Sequence, residues 1–207
     1  MELKERIIEE ASELFFHNGI RSITMSDIAS HLGISKRTLY EVFKDKEELL
    51  EACIKGNIEK ADLEMKVLLE ESENVIDIMM RIYAKNLNDI HSINKSVVHD
   101  LKKYHPNIYK IITCKQKDNT NAFFPLFEKG VEQGLLRDDI NFEILMWTLK
   151  AQFRVLMEGD MPENKYPISD FVLAIILNFT RGIATPKGNE LIDEMVQKYG
   201  RRELNKK

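Results

Sequence analysis

Thr24 to Leu50 read TMSDIASHLGISKRTLYEVFKDKEELL, and this stretch decides the fold. A hydroxyl at Thr24 can accept from the unpaired N–H groups at a helix start, and Asp27 suits the positive end of the helix dipole. Ile28, Ala29 and Leu32 then fall on one face of a short helix. Gly33 interrupts it, Ile34 is apolar, and Ser35 supplies a fresh cap for a second short helix carrying Leu39, Val42 and Phe43 inward. Two short helices joined by a tight glycine turn have the geometry that inserts into a DNA major groove.

Groove insertion also needs a second helix whose leading end is thinly clothed. Ser35, Lys36, Arg37 and Thr38 meet that demand, with short hydroxyls for phosphate and a guanidinium at Arg37 able to make a two-pronged contact to guanine. The Tyr40 hydroxyl can reach the backbone, and Lys44 and Lys46 are spaced to neutralise phosphates on the groove flank. Lys36, Arg37, Lys44 and Lys46 outnumber Glu41 and Asp45 four to two over this stretch, although the whole chain carries a net charge of -4. Any positive surface is therefore local, and Glu2, Glu5, Glu9, Glu10 and Glu13 are expected to lie away from DNA.

Upstream, Ile7, Ile8, Ala11, Leu14 and Phe15 keep helical spacing up to Asn18-Gly19, residue types that tolerate a left-handed cap. Downstream, Asp45 caps a long helix that starts at Lys46, turns Leu49, Leu50, Cys53, Ile54 and Ile58 to one side, and runs to about residue 71. Further helices are predicted over about 75–91, 95–104, 106–133 with an internal Pro125, 142–157, 169–183 and 188–199, followed by a frayed tail from Arg201. No segment reads as a strand, so the expected fold is all-α.

The stretch quoted above strongly resembles the TetR (tetracycline-repressor) family: Thr24-x-x-x-Ile28-Ala29, Gly33-Ile34-Ser35-Lys36, Thr38-Leu39-Tyr40, and Phe43-x-x-Lys46-Glu47-x-Leu49. The upstream apolar pattern and Asn18-Gly19 extend the resemblance over roughly residues 1 to 61. It implies a three-helix helix-turn-helix head over 1–61, on a multi-helix body over 62–207 that dimerises and binds an effector. The implied activity is that of a transcription regulator, a repressor or an activator, with a repressor released from a palindromic operator by a small molecule as the favoured form. Thr24, Ser35, Lys36, Arg37, Thr38, Tyr40, Lys44 and Lys46 are then the candidate DNA contacts. Arg37, where the family often has a small residue, and Val42, where an aromatic or His is frequent, depart from the pattern and bear on base preference.

The resemblance assigns the homodimer contact to the last two long helices, here 142–157 and 169–183. The unbroken apolar run Phe171 to Leu177 leaves no polar face over two turns, as expected for a helix covered on both sides. Met80, Tyr83, Phe123, Phe127, Trp147 and Phe153 are the candidates for lining an effector pocket, because Met and aromatic side chains give adaptable apolar surface.

With 207 residues and 43% apolar composition the chain can bury a real core. Its two cysteines, Cys53 and Cys114, have neither disulfide-framework nor zinc spacing, which suits free thiols in a reducing cytoplasm. The start Met1-Glu2-Leu3-Lys4-Glu5-Arg6 lacks a secretory layout, and Phe171 to Leu177 falls well short of the roughly 20 apolar residues that cross a bilayer. His91, His99, Asp100 and His105 do not share one helical face, so no metal is expected. No cofactor or catalytic motif is present: there is no phosphate-cradling glycine loop, Gly-x-Ser-x-Gly or His-Glu-x-x-His. The competing reading is a helical structural or protein-binding module without DNA recognition, which would leave Lys36, Arg37, Lys44 and Lys46 scattered or buried.

Overall fold

A computed structural model of the chain describes residues 2–92, 94, 96–158 and 167–204. Among the described residues there are ten α-helices and no strand: α1 (Leu3–Asn18), α2 (Met25–Leu32), α3 (Lys36–Val42), α4 (Lys46–Glu71), α5 (Val75–Ser92), α6 (Ser96–Tyr104), α7 (Pro106–Glu132), α8 (Phe142–Glu158), α9 (Ile168–Ile183) and α10 (Pro186–Leu204). The all-α expectation therefore holds. One end differs: α10 continues through Arg201–Leu204, where the sequence predicts a frayed tail. Arg, Glu and Leu are strong helix formers, and they carry the helix past Gly200.

The chain divides into two compact units, residues 1–66 with 92–117 and residues 67–91 with 118–207. In the first, Ile7, Ala11 and Phe15 of α1, Ile28 of α2, Leu39 of α3 and Leu49 and Cys53 of α4 are wholly removed from solvent. Each is where the apolar periodicity puts it. Fully burying an Ile, Leu or Phe side chain stabilises by about 1.5–3 kcal/mol, and this shared burial holds together helices too short to stand alone.

α6 and the start of α7 belong to this same core. Val97, Leu101 and Ile108 are buried among the α1–α4 side chains, with Tyr109 and Ile112 packed at their edge. Asn94 fastens the entry to α6, its N–H donating to the Phe16 carbonyl at 2.7 Å and its Nδ2 to the His17 carbonyl at 3.3 Å.

The second unit packs α5, the end of α7, and α8 to α10 around Val75, Ile76, Met80, Phe127, Val172, Ile183 and Ile192. Phe127 stacks on Phe142 with ring centroids 4.4 Å apart and planes 4° from parallel. Where α7 ends and where α9 ends, the chain is clasped by an isolated antiparallel bridge between Leu136 and Ala184. Arg137 N–H donates to Ile183 O at 2.9 Å and Thr185 N–H to Leu135 O at 3.0 Å. Gly188 lies so close under this clasp that a Cβ there would collide with the Leu135 carbonyl oxygen.

Among the described residues no helix is long and apolar enough to cross a membrane. The histidines named above do not converge: His99 lies 3.7 Å from Asp100, His105 faces Glu47 on α4 at 3.8 Å, and the His91 side chain lies outside the described residues.

Candidate DNA interface

The start of α2 is held by a reciprocal cap. Thr24 Oγ1 accepts from the Asp27 backbone N–H at 3.2 Å, while the Thr24 N–H and hydroxyl both donate to Asp27 Oδ2, at 2.8 and 2.6 Å. These hydrogen bonds hold the Asp27 carboxyl below its ordinary range, with smaller help from Lys36 and Lys46. The helix ends at Gly33 in the left-handed region, φ 66° and ψ 29°, which glycine adopts without steric cost. Gly33 N–H donates to Ser30 O and Ile34 N–H to Ala29 O, closing the last carbonyls of α2 and turning the chain within two residues.

α3 begins at once. Ser35 Oγ accepts from the Thr38 N–H at 3.0 Å and lies 2.8 Å from Thr38 Oγ1. Leu39 and Phe43 anchor the helix in the core, which leaves Lys36, Arg37 and Tyr40 exposed along its other side, with Thr38 half-buried. Tyr40 is 50% exposed, a large value for an aromatic side chain. Arg37 reaches back to Glu41 at 2.9 Å in a fully solvated pair, an interaction worth little and readily exchanged for a better acceptor.

Lys44 follows in the turn between α3 and α4; its ammonium is exposed, 3.9 Å from Asp45, while its backbone N–H donates to Glu48 Oε2 at 2.7 Å. Ser35, Lys36, Arg37, Thr38, Tyr40 and Lys44 thus lie on or next to one short helix whose inner face is fixed. Thr24 begins the preceding helix.

Lys46 behaves differently. Its ammonium donates to the Ile20 carbonyl at 2.5 Å and lies 5.6 Å from the Phe15 ring centroid. Burial lowers its pKa, opposed by the nearby charges of Asp100 and Asp27. Spacing alone groups Lys46 with Lys44, and nothing local signals that the chain before α2 presents a carbonyl to it. Arg6 makes a similar link, its Nη2 donating to the Leu32 carbonyl at 2.6 Å and tying α1 to the end of α2.

The candidate pocket residues of the body separate by burial. Met80 and Phe127 are fully buried, Phe123 and Phe153 are half-buried against the same cluster, and Trp147 is 69% exposed on α8. The Tyr83 side chain lies outside the described residues.

Residues 7–53 match the family model for bacterial regulatory proteins of the tetR family. The chain is 28% identical over 183 residues to YvaF, an uncharacterized HTH-type transcriptional regulator of Bacillus subtilis, spanning 87% of this chain and 95% of the relative. In fold it is similar to a putative transcriptional regulator from Saccharomonospora viridis solved in complex with choline, with a TM-score of 0.74 at 20% identity, covering 88% of this chain and 97% of that one. It is also similar to the transcriptional regulator FadR from Bacillus subtilis in complex with stearoyl-CoA, with a TM-score of 0.66 at 18% identity, covering 86% and 98%.

Proposed function

We propose that this chain, whose residues 7–53 match the model for bacterial regulatory proteins of the tetR family, is a regulator of that family that binds a palindromic operator as a homodimer and is released from it by a small-molecule effector. The helix-turn-helix that reads DNA lies within residues 1–61, and effector binding and dimerisation are assigned to residues 62–207. The observation that carries the reading is the contrast between the two sides of α3: Leu39 is completely buried, while Lys36, Arg37 and Tyr40 are exposed on the opposite side. A purely structural module does not need two cations and a tyrosine hydroxyl exposed together on one side of a seven-residue helix.

Arg37 leaves Glu41 for a base edge, Lys36 and Lys44 take phosphates, and the Tyr40 hydroxyl donates to the backbone. Thr24 and Ser35 act mainly by fixing the two helix starts, since their hydroxyls already have intramolecular partners. Lys46 holds the segment before α2 in place through Ile20 and does not contact DNA.

The second copy covers α8. Ile144, Trp147 and Val155 are 63%, 69% and 54% exposed and fall with Ala151 at the spacing of one helical stripe. Exposed apolar side chains in such a row mark a protein contact. This assigns Trp147 to the dimer, with α9 beside it, rather than to the effector pocket. Met80, Phe123, Phe127 and Phe153 remain with the apolar interior of the body, and the structural neighbours solved with choline and with stearoyl-CoA support an organic effector for this chain. α4 runs without a break from Lys46 to Glu71 and is the covalent route by which effector occupancy reaches the head. The work is that of a DNA-binding switch in the cytoplasm and involves no catalytic step.

Selection of duplexes from a random pool by the purified protein, followed by titration at two salt concentrations, tests the reading. Enrichment of a palindrome is expected. Weak binding without any enriched sequence, with or without candidate effectors, would overturn it.

A further inference from the structure

The first compact unit carries a second group of cations, at the junction of the α1–α2 connection with α6. The Arg21 guanidinium lies 4.8 Å from the Tyr104 ring centroid and donates to the Tyr104 hydroxyl at 3.4 Å. Lys103 Nζ lies 5.2 Å from the centroid of that same ring, and the His99 ring meets it edge-on at 6.5 Å. Arg21, Lys103 and His99 are all exposed, and Tyr104 is 42% exposed. Among the ion pairs of the described residues neither Arg21 nor Lys103 takes part; Asp100, the nearest acid in sequence, is buried and accepts from the Arg21 backbone N–H instead.

Two exposed cations lie against one aromatic ring and neither is engaged in an ion pair among the described residues, so both are available to an anion. The negative end of α6 accounts for Lys103 in its last turn, but it does not account for Arg21, which comes from another element.

The position of the group says which anion. Arg21 precedes the Thr24 cap of α2 by three residues, and its backbone N–H donates to Asp100 on α6 at 3.4 Å. The pair of cations therefore borders the start of the helix-turn-helix. We infer that Arg21 and Lys103, steadied by Tyr104, bind the phosphates of duplex DNA just outside each half-site, so that α6 extends the footprint beyond the segment inserted in the groove. Such contacts position the head and carry no base information.

This inference rests on the regulator reading, and the test separates the two. The selected site is prepared as a core duplex and as one extended by about half a helical turn at each end. Wild type and the Arg21→Ala/Lys103→Ala variant are titrated on both across a salt series, with helical content checked by circular dichroism and Lys103→Glu as a second variant. The wild type is expected to bind the extended duplex more tightly with a steeper salt dependence, and the double variant to bind both duplexes as the wild type binds the core. Its slope of log K against log salt becomes shallower by about 0.9 for each phosphate it no longer neutralises, and Lys103→Glu weakens binding to the extended duplex further. If the wild type binds the extended duplex no better than the core, or the variants weaken binding to both duplexes equally, the flank contact is overturned and the group only fastens α6 to the head. If the wild type binds neither duplex, it is the regulator reading that fails.

Discussion

The ammonium of Lys46 donates to the carbonyl of Ile20 at 2.5 Å, so the first residue of α4 locks the chain segment that leads into α2. Lys44, two residues earlier, has no such carbonyl and leaves its ammonium in solvent. Two lysines of one turn thus do different work, one inside the fold and one at its surface.

Replacing each should separate these tasks. Lys46→Met keeps the stem but leaves the Ile20 carbonyl without its donor, and a buried acceptor left bare costs about 1–3 kcal/mol. The thermal midpoint is expected to fall while the salt dependence of DNA binding keeps its slope. Lys44→Ala should do the reverse, leaving stability nearly untouched and flattening that slope by about 0.9 per phosphate left unneutralised. Identical slopes for Lys44→Ala and wild type would remove Lys44 from the interface.

The cap at α2 makes the head sensitive to acid. Asp27 has its carboxyl lowered in the folded state by Thr24, so its contribution is fully present above the unfolded value of about 4 and disappears as pH falls through the lowered folded value. Thr24→Val removes the hydroxyl that both donates to and accepts from Asp27, and is expected to lower stability at neutral pH by about 1 kcal/mol. It should also shrink the loss of stability on acidification. Urea denaturation at neutral pH and near pH 3.5 measures both effects; an unchanged difference between the two conditions would mean the cap does not set the acid response.

The cysteines should react very unequally. Cys53 is buried with its thiol pushed up to about 11, chiefly by burial, and its Sγ lies 3.5 Å from the Ile8 carbonyl. Cys114 is exposed on α7. Iodoacetamide at mildly alkaline pH is expected to alkylate Cys114 and spare Cys53 until the chain unfolds, since only the thiolate reacts. Peptide mass spectrometry reads this out, and early labelling of Cys53 would mean that the head opens readily.

Trp147→Glu places a charge in the exposed apolar row of α8. Sedimentation is expected to find the variant as a folded monomer where the wild type is a dimer, with operator affinity reduced by at least about tenfold because one head must then bind alone. A variant that remains dimeric would move the contact to another face.

The helix-turn-helix is legible in the sequence because its determinants are local. Thr24 with Asp27, Gly33, and Ser35 with Thr38 are partners within three residues or single backbone requirements, and the structure uses each of them as a cap or a turn. The inward faces of α1 to α4 follow from periodicity for the same reason. What cannot be read is every relation across distance. Lys46 meets Ile20 from 26 residues away, Arg21 meets Tyr104 from 83, and the choice between Phe127 as core and Trp147 as surface depends on which neighbours fold over each. Both residues sit in amphipathic helices with similar patterns, and an aromatic residue at a helical position does not announce its partner.

The packing of Val97, Leu101 and Ile108 into the head core bears on how such a protein can be recombined. The head is stitched from two separated pieces of chain, so a cut after residue 61 would not release a self-sufficient cassette. A chimera grafting only those residues onto a foreign body would strip three buried side chains from the graft. Unless the recipient's own helix happens to refill the gap, the transplanted reader would arrive with a hole in it. Exchange of DNA specificity between relatives should therefore succeed by rewriting the surface of α3 in place more often than by swapping whole heads.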